Sequence, residues 1–215
     1  MAAGGSSLRE RKKAQTRLLI ADIAMGLFAE RGFDRVTVAE VARAADVSVN
    51  TVFNYFPTKE DLFFDRQAEV EDLLAAIVRN RRPGESAVGA LRRAMVEGVA
   101  SDDWTTGIWD GAVDFFRLVD AAPSLRSRER ELGERSLAAL ARTLAAETDA
   151  GPDDPLPLVV AGLVVGSREA VVGEARRRLL DGEPFAAVQE WAAEAYRRAF
   201  DLIEDGVPAD YGVRP

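Results

Sequence analysis

Between Thr37 and Phe56 the sequence writes two helices too short to stand alone. Thr37 with Glu40 three residues on reads as a capping box, opening a helix whose buried side is Val38, Val41, Ala42 and Ala45. After a tight turn, Ser48 caps a second helix with Val52, Phe53 and Phe56 inward, and Pro57 ends it. Isolated helices below ~12–15 residues are marginal in water. Neighbouring elements must therefore clamp this pair. The spacing supplies them: Ile20, Ile23, Ala24, Leu27 and Phe28 line one face of a helix from Leu8 to Arg31, closed by Gly32. Thr58 with Asp61 opens the next helix, which brings Leu62 and Phe63.

Helical spacing continues to the end of the chain, and no alternating run of strand length is bounded by a hairpin turn. Pro and Gly punctuation falls at Arg82-Pro83-Gly84, near Ser101–Asp103, at Ala122-Pro123, from Gly151 to Pro157, and at Gly182–Pro184. The expected fold is all-α, with about nine helices. A three-helix head occupies residues 1–57, and residues 58–215 form a larger helical body. Residues 1–7 and 207–215 read as frayed ends.

The second short helix presents Val49, Asn50, Thr51, Asn54 and Tyr55 on its free side, a face without carboxylates. Such groups suit base edges, thymine methyls and phosphates, and the orphan N–H groups at a helix N-terminus favour phosphate. This is a helix-turn-helix arrangement; a plain three-helix core is the alternative, but it has no need to keep acids off one outer face. Charge agrees. Residues 1–66 carry ten basic residues against nine acidic, leaving 18 of the 28 basic and 27 of the 36 acidic residues to the remainder. A head with a basic tip meets a polyanion while an acidic body is repelled.

Composition removes other classes. The chain has neither His nor Cys, so His-based triads, thiolate nucleophiles, disulfides, and His- or Cys-ligated metal sites are excluded. No cofactor or metal is expected. Asp110 and Asp114, four residues apart, are the one carboxylate pair that would tempt an enzymatic reading. The longest uncharged stretch, Pro155–Ser167, is 13 residues, short of the ~18 a span needs. With no secretory signal visible, the expectation is a cytoplasmic protein with no membrane partner.

The spaced pattern Arg17-x-x-Ile20-x-x-x-Ala24-x-x-Leu27-Phe28-x-x-x-Gly32-Phe33-x-x-x-Thr37-Val38-x-x-Val41-Ala42, continuing Ala45-x-Val47-Ser48-x-x-Thr51-Val52-Phe53-x-Tyr55-Phe56-x-x-Lys59-Glu60-x-Leu62, resembles the DNA-binding head of the TetR family of bacterial transcriptional regulators. The resemblance covers about residues 17–62. It implies an all-helical homodimer that binds a palindromic double-stranded operator and is released by a small apolar or amphipathic ligand held in the body. It further implies that Thr37, Tyr55 and Lys59 touch phosphates, with Ser48 at the helix start, and that Val49, Asn50, Thr51 and Phe53 face the major groove beside Asn54. Arg17 would approach the backbone, and Arg9, Arg11, Lys12 and Lys13 would form an arm able to reach the minor groove. Two positions depart from the family pattern: Asp46 stands where the turn usually has Gly, and Phe53 where Tyr is common.

In the body, Trp104, Trp109, Phe115 and Phe116 cluster in sequence near Met95, Val99, Ile108 and Leu118. They line either an apolar ligand cavity or a plain core. Gly162, Gly166, Ala170 and Gly173 make a small-residue face on one long helix, and Ala192, Ala195, Tyr196, Ala199 and Ile203 a stripe on the last. Together they are the expected dimer surface, which a helix-turn-helix reader needs for two-fold symmetry. A ligand-independent architectural DNA-binding dimer remains the alternative function, and a carboxylate enzyme a remote one.

Overall fold

The computed structural model describes residues 8–208 and 211–213, with residues 8 and 9 by backbone alone. Among these there are ten α-helices and no strand. They are α1 (Leu8–Arg31), α2 (Val38–Ala44), α3 (Val49–Tyr55), α4 (Lys59–Phe63), α5 (Gln67–Arg79), α6 (Ala87–Ala100), α7 (Ala112–Ala121), α8 (Pro123–Glu147), α9 (Leu156–Leu180) and α10 (Phe185–Gly206). The chain divides into two compact units. One comprises residues through Gln67 together with Leu118–Arg128; the other comprises Ala68–Arg117 and the chain from Glu129 onward.

The first unit is built as the short helices require. Ile20, Ala24 and Phe28 of α1 are completely buried with Val41 of α2, Val52 of α3 and Leu62 of α4. Phe28 and Phe33 lie 5.0 Å apart, and Phe33 meets Phe63 edge-on at 6.0 Å. Each fully buried large side chain contributes about 1.5–3 kcal/mol, the stabilisation that seven-residue helices lack by themselves. Gly32 closes α1 at φ +84°, its N–H donating to the Phe28 carbonyl at 2.8 Å.

The expected ninefold division becomes ten because the helix opened by Thr58 stops at Phe63 and restarts at Gln67. Arg17 of α1 donates to the Asp65 carbonyl, an acceptor that an uninterrupted helix would have used for itself.

The second unit has one continuous core, to which α6 contributes Leu91, Met95 and Val99, α9 Val160, Val164 and Ala175, and α10 Val188, Tyr196 and Phe200. Between α6 and α7 the chain is irregular except for a 3-10 turn at Trp104–Thr106. Helix spacing therefore misplaced Trp104, Ile108 and Trp109, which precede α7. Asp110 also precedes it, so Asp110 and Asp114 do not share a helical face. Asp114 pairs with Arg117 at 3.1 Å. The C-terminal end was expected to fray, but Tyr211 is buried and the Arg81 Nε donates to the Gly212 carbonyl at 2.9 Å.

Candidate nucleic-acid interface

The turn between α2 and α3 is fixed from both sides. The Thr37 backbone N–H donates to Glu40 Oε2 at 2.8 Å, and the Thr37 hydroxyl accepts from the Glu40 N–H at 3.3 Å. The same hydroxyl donates to Glu40 Oε2 at 2.7 Å. These bonds hold the Glu40 carboxyl below the ordinary carboxylate range. They also occupy Thr37, assigned to phosphate by resemblance, as a helix cap. Asp46 adopts the left-handed backbone, φ +54°, which Asp tolerates better than most non-glycine residues. The turn survives without glycine. Ser48 then accepts from the Thr51 N–H at 3.0 Å, which opens α3 at its expected position.

Only Val52 of α3 is buried. Val49, Asn50 and Asn54 are exposed, Thr51 and Tyr55 half-buried. Phe53, counted inward by spacing and outward by resemblance, is 46% exposed. It belongs to the outer face. The structure thus brings Ser48, Val49, Asn50, Thr51, Phe53, Asn54 and Tyr55 onto one short, capped helix carrying no carboxylate. Such a surface offers amide donors and acceptors, a hydroxyl, a phenol and two apolar groups, the chemistry a major groove is read with.

The cations flanking this face divide into two kinds. Arg11, Lys12 and Lys13 are exposed on the first turns of α1; the side chain of Arg9 lies outside the described residues. Lys59 and Arg17 are engaged within the unit. The Lys59 ammonium donates to the Phe33 carbonyl at 2.6 Å and sits 4.2 Å over the Phe33 ring. Burial pulls its pKa down, against the raising pull of Asp34, Glu60 and Glu40. Arg17 stacks over Phe56 at 4.7 Å and bonds Asp65, so its guanidinium braces the head.

One brace had no local sequence signal. Arg128 of α8 donates to Asp61 Oδ1 at 2.7 Å and to Gln67 at 2.8 Å, while Asp61 Oδ2 accepts the Thr58 N–H at 2.9 Å. Burial raises the Asp61 pKa, but the hydrogen bonds from Thr58 and Gln67 and the charge of Arg128 outweigh it, and the carboxyl stays below its usual range. This fixes the start of α4, and with it Lys59.

In the body, Met95, Val99, Ile108 and Phe116 are buried members of the core, with Trp109 and Phe115 packed against it. Trp104 is half-buried in the 3-10 turn. Trp109 lies 5.4 Å from Phe115 and 5.9 Å from Phe116, so the aromatics fill one another's space. Leu118 belongs to the first compact unit and does not group with them. A surface groove of about 270 Å³ occurs elsewhere, lined by Arg92, Arg93 and Arg197 with Glu97 and Glu204. Its arginines are paired: Arg92 with Asp201 at 2.8 Å, Arg93 with Glu85 at 2.7 Å, Arg197 with Glu194 at 2.9 Å.

The expected dimer stripe splits. Ala192, Tyr196 and Ile203 are buried in the chain's own core and cannot face a partner; their side of α10 turns inward. Gly166, Ala170 and Gly173 are exposed, and Gly162, Ala195 and Ala199 half-buried. Spacing missed the larger exposed groups of α9: Leu158, Val159 and Leu163 are 57%, 51% and 48% exposed, and Leu202 of α10 is also exposed. Although α9 is long and apolar enough to cross a membrane, its inward side is part of the body core. It is a packed helix with one apolar side uncovered.

Residues 20–65 match the family described as bacterial regulatory proteins, tetR family. The HTH-type transcriptional regulator TcmR of Streptomyces glaucescens is 30% identical, over 70% of this chain and 68% of that protein. Among solved structures, a TetR-family regulator from Streptomyces coelicolor superposes with a TM-score of 0.59 at 22% identity, covering 94% of this chain and all of the other. FadR of Bacillus subtilis, solved in complex with stearoyl-CoA, gives a TM-score of 0.53 at 16% identity over 89% of this chain and 99% of that one. At these identities the structural likenesses show the fold.

Proposed function

Because the chain belongs to the TetR family of bacterial transcriptional regulators, we propose that it is a cytoplasmic homodimeric repressor which reads a palindromic operator through α3 and releases it on binding a small, largely apolar ligand. In this reading residues 1–57, joined by Lys59 at the start of α4, contact DNA, and residues 58–215 otherwise regulate and dimerise. The observation that carries it is the outer face of α3, capped at Ser48 and free of acids, with Asn50 the best placed direct reader. An Asn amide pairs bidentately with adenine. Arg11, Lys12, Lys13, Tyr55 and Lys59 supply the phosphate contacts. Lys59 can serve both roles, since an ammonium has three donors and the Phe33 carbonyl takes one.

The partner surface is α9 along Val159, Leu163, Gly166, Ala170 and Gly173, with Ala195, Ala199 and Leu202 of α10 beside it. Spacings of three and four residues make one seam on a helix, and the small residues permit close approach of a second copy. The FadR–stearoyl-CoA complex supports a ligand-taking body by analogy of fold. A second reading, a dimer that ignores ligands, is favoured by the self-packed aromatics Trp109, Phe115 and Phe116.

Selection of bound duplexes from a random library tests the proposal. The expected enrichment is a palindrome with half-sites about one or more helical turns apart. Binding without any enriched palindrome overturns it.

A further inference from the structure

At the edge of the body core, half-buried Arg168 carries a charge that no carboxylate answers among the described residues. Arg168 stands on the inward side of α9, in register with the buried Val164, Val165, Val171 and Ala175. Its Nη2 donates to the Thr105 carbonyl at 3.2 Å. Its Nε is enclosed and without an acceptor, and among the described residues no carboxylate pairs with it. Tyr196 of α10 is 0% exposed, and its hydroxyl is likewise enclosed without a partner. Helices α9 and α10, which carry the two groups, pack against each other, and the charge of Arg168 pulls against the burial that pushes the Tyr196 phenol up to about 12.

The cover over this neighbourhood is the irregular segment before α7. The Thr106 methyl presses on α6 at Gly98, where an added Cβ would stand 2.6 Å from it. Gly107, at φ +85°, lies against α9, where a Cβ would stand 3.0 Å from Val172 and 3.3 Å from the Arg168 guanidinium. A side chain at 98 would displace Thr106, and one at 107 would crowd Val172 and Arg168. Asp103 and Thr106 make local bonds within the segment. Around it the core offers Met95 and Val99.

We infer that Arg168 and Tyr196 anchor the acidic head of an apolar ligand inside the body, with the Trp104–Ile108 segment as its cover. The inference rests on the reading of the body as ligand-binding and adds the ligand's chemical class. A buried donor without a partner calls for an acceptor. A guanidinium with no counter-charge calls for an anion, and a carboxylate meets its fork with two oxygens while still accepting from a phenol. A neutral acceptor or a water would satisfy the donors and leave the charge uncompensated. The aliphatic surroundings select an apolar remainder.

Calorimetric titration of the whole protein decides this, with two acids of different shape, decanoate and 2-naphthoate, and their uncharged counterparts, decanol and 2-naphthol. The acids are expected to bind saturably and at least about tenfold tighter than the alcohols. Arg168→Gln is expected to remove that preference. Tyr196→Phe, which deletes only an unpartnered hydroxyl and so preserves the fold, is expected to weaken the acids by about ten- to a hundredfold. Alcohols that bind as tightly as acids, with both variants unaffected, overturn the anchor and leave an apolar ligand site standing. No saturable binding by any of the four overturns the anchor and the ligand-taking body together, while operator binding measured on the same samples reports separately on the DNA-reading head.

Discussion

Lys59 is asked to do two things at once, and Lys59→Met separates them. Methionine keeps the length and apolar stem of the side chain and removes the ammonium. Inside the head the change deletes the 2.6 Å bond to the Phe33 carbonyl and the cation 4.2 Å over the Phe33 ring. A hydrogen bond from a charged group is worth about 1.5–3 kcal/mol. Here the lower end applies, because the Phe33 carbonyl still accepts the Val36 N–H at 3.3 Å and is not stranded. A sulfur–aromatic contact returns about 0.3–1.5 kcal/mol. With about 0.5–1 kcal/mol for the lost cation–ring contact, the net loss is about 0.5–2 kcal/mol, or about 1–8 °C in the melting midpoint of a chain this size. Far-UV circular dichroism is the suitable probe, since all three Trp residues lie outside residues 1–57. On DNA each protomer loses one phosphate contact, so the slope of log K against log salt falls by ~0.9 per protomer, about 1.8 for the dimer. A stability loss of this size with an unchanged salt slope refutes the phosphate contact. A reduced slope with unchanged stability refutes the tether to Phe33.

Asn50→Ala should cost ~1–3 kcal/mol at a single base position and leave the salt slope unaltered, as read by competition among point-mutated operators. Leu163→Glu and Gly166→Arg place charges on the exposed side of α9 without disturbing the core, since a Cβ at Gly166 meets nothing within 4 Å; if that side covers a second copy, each should yield monomers in sedimentation at micromolar concentration. Two dimeric variants with full DNA affinity would place the interface elsewhere. The Glu85 carboxyl is held down to about 2, chiefly by the bidentate bonds from Arg93 at 2.7 and 3.0 Å. Its folded pKa lies below its unfolded one, so its contribution is complete above about pH 4.5 and is lost as pH falls toward 2. Urea midpoints between pH 5 and 3 should fall less steeply for Glu85→Gln than for the parent.

The head was legible because its instructions are local. Thr37 with Glu40, Ser48, and Thr58 with Asp61 each cap a helix within three residues of themselves, and all three form as read. The clamp that makes such short helices stable was visible as the apolar face of α1. What escaped notice there is non-local: Arg17 and Lys59 look like surface cations in the sequence, and only their distant partners Asp65, Phe56 and Phe33 turn them inward. Arg128, 67 residues from Asp61, leaves no periodic trace. The body was harder for a physical reason. Helix α9 is apolar nearly all round, so spacing cannot tell its core side from its uncovered side. Tyr196 was placed on a partner surface because its neighbours at helical spacing are small; packing of α6 and α9 against α10 put it in the core instead.

That misplacement bears on regulation. A ligand empties an operator only through a difference in affinity between two states, and about 100-fold, ~2.7 kcal/mol, displaces most of the bound protein. Apolar contact alone supplies little difference when the body core is equally well packed in both states. Enclosed donors behave otherwise. With the Trp104–Ile108 segment seated, the Arg168 Nε and Tyr196 hydroxyl have no acceptors, and an acid that supplies one rewards only the arrangement that admits it. Two charge-assisted bonds at about 1.5–3 kcal/mol each exceed the required difference. On this arithmetic an effector's head group governs release and its apolar part governs residence. Ligands matched in carbon count but differing in charge should then separate the two: the acid shifts operator occupancy at saturation, whereas the alcohol at saturation leaves it nearly unchanged. Equal release by both at saturation would mean that the volume of the ligand, and not its anchoring, moves the equilibrium.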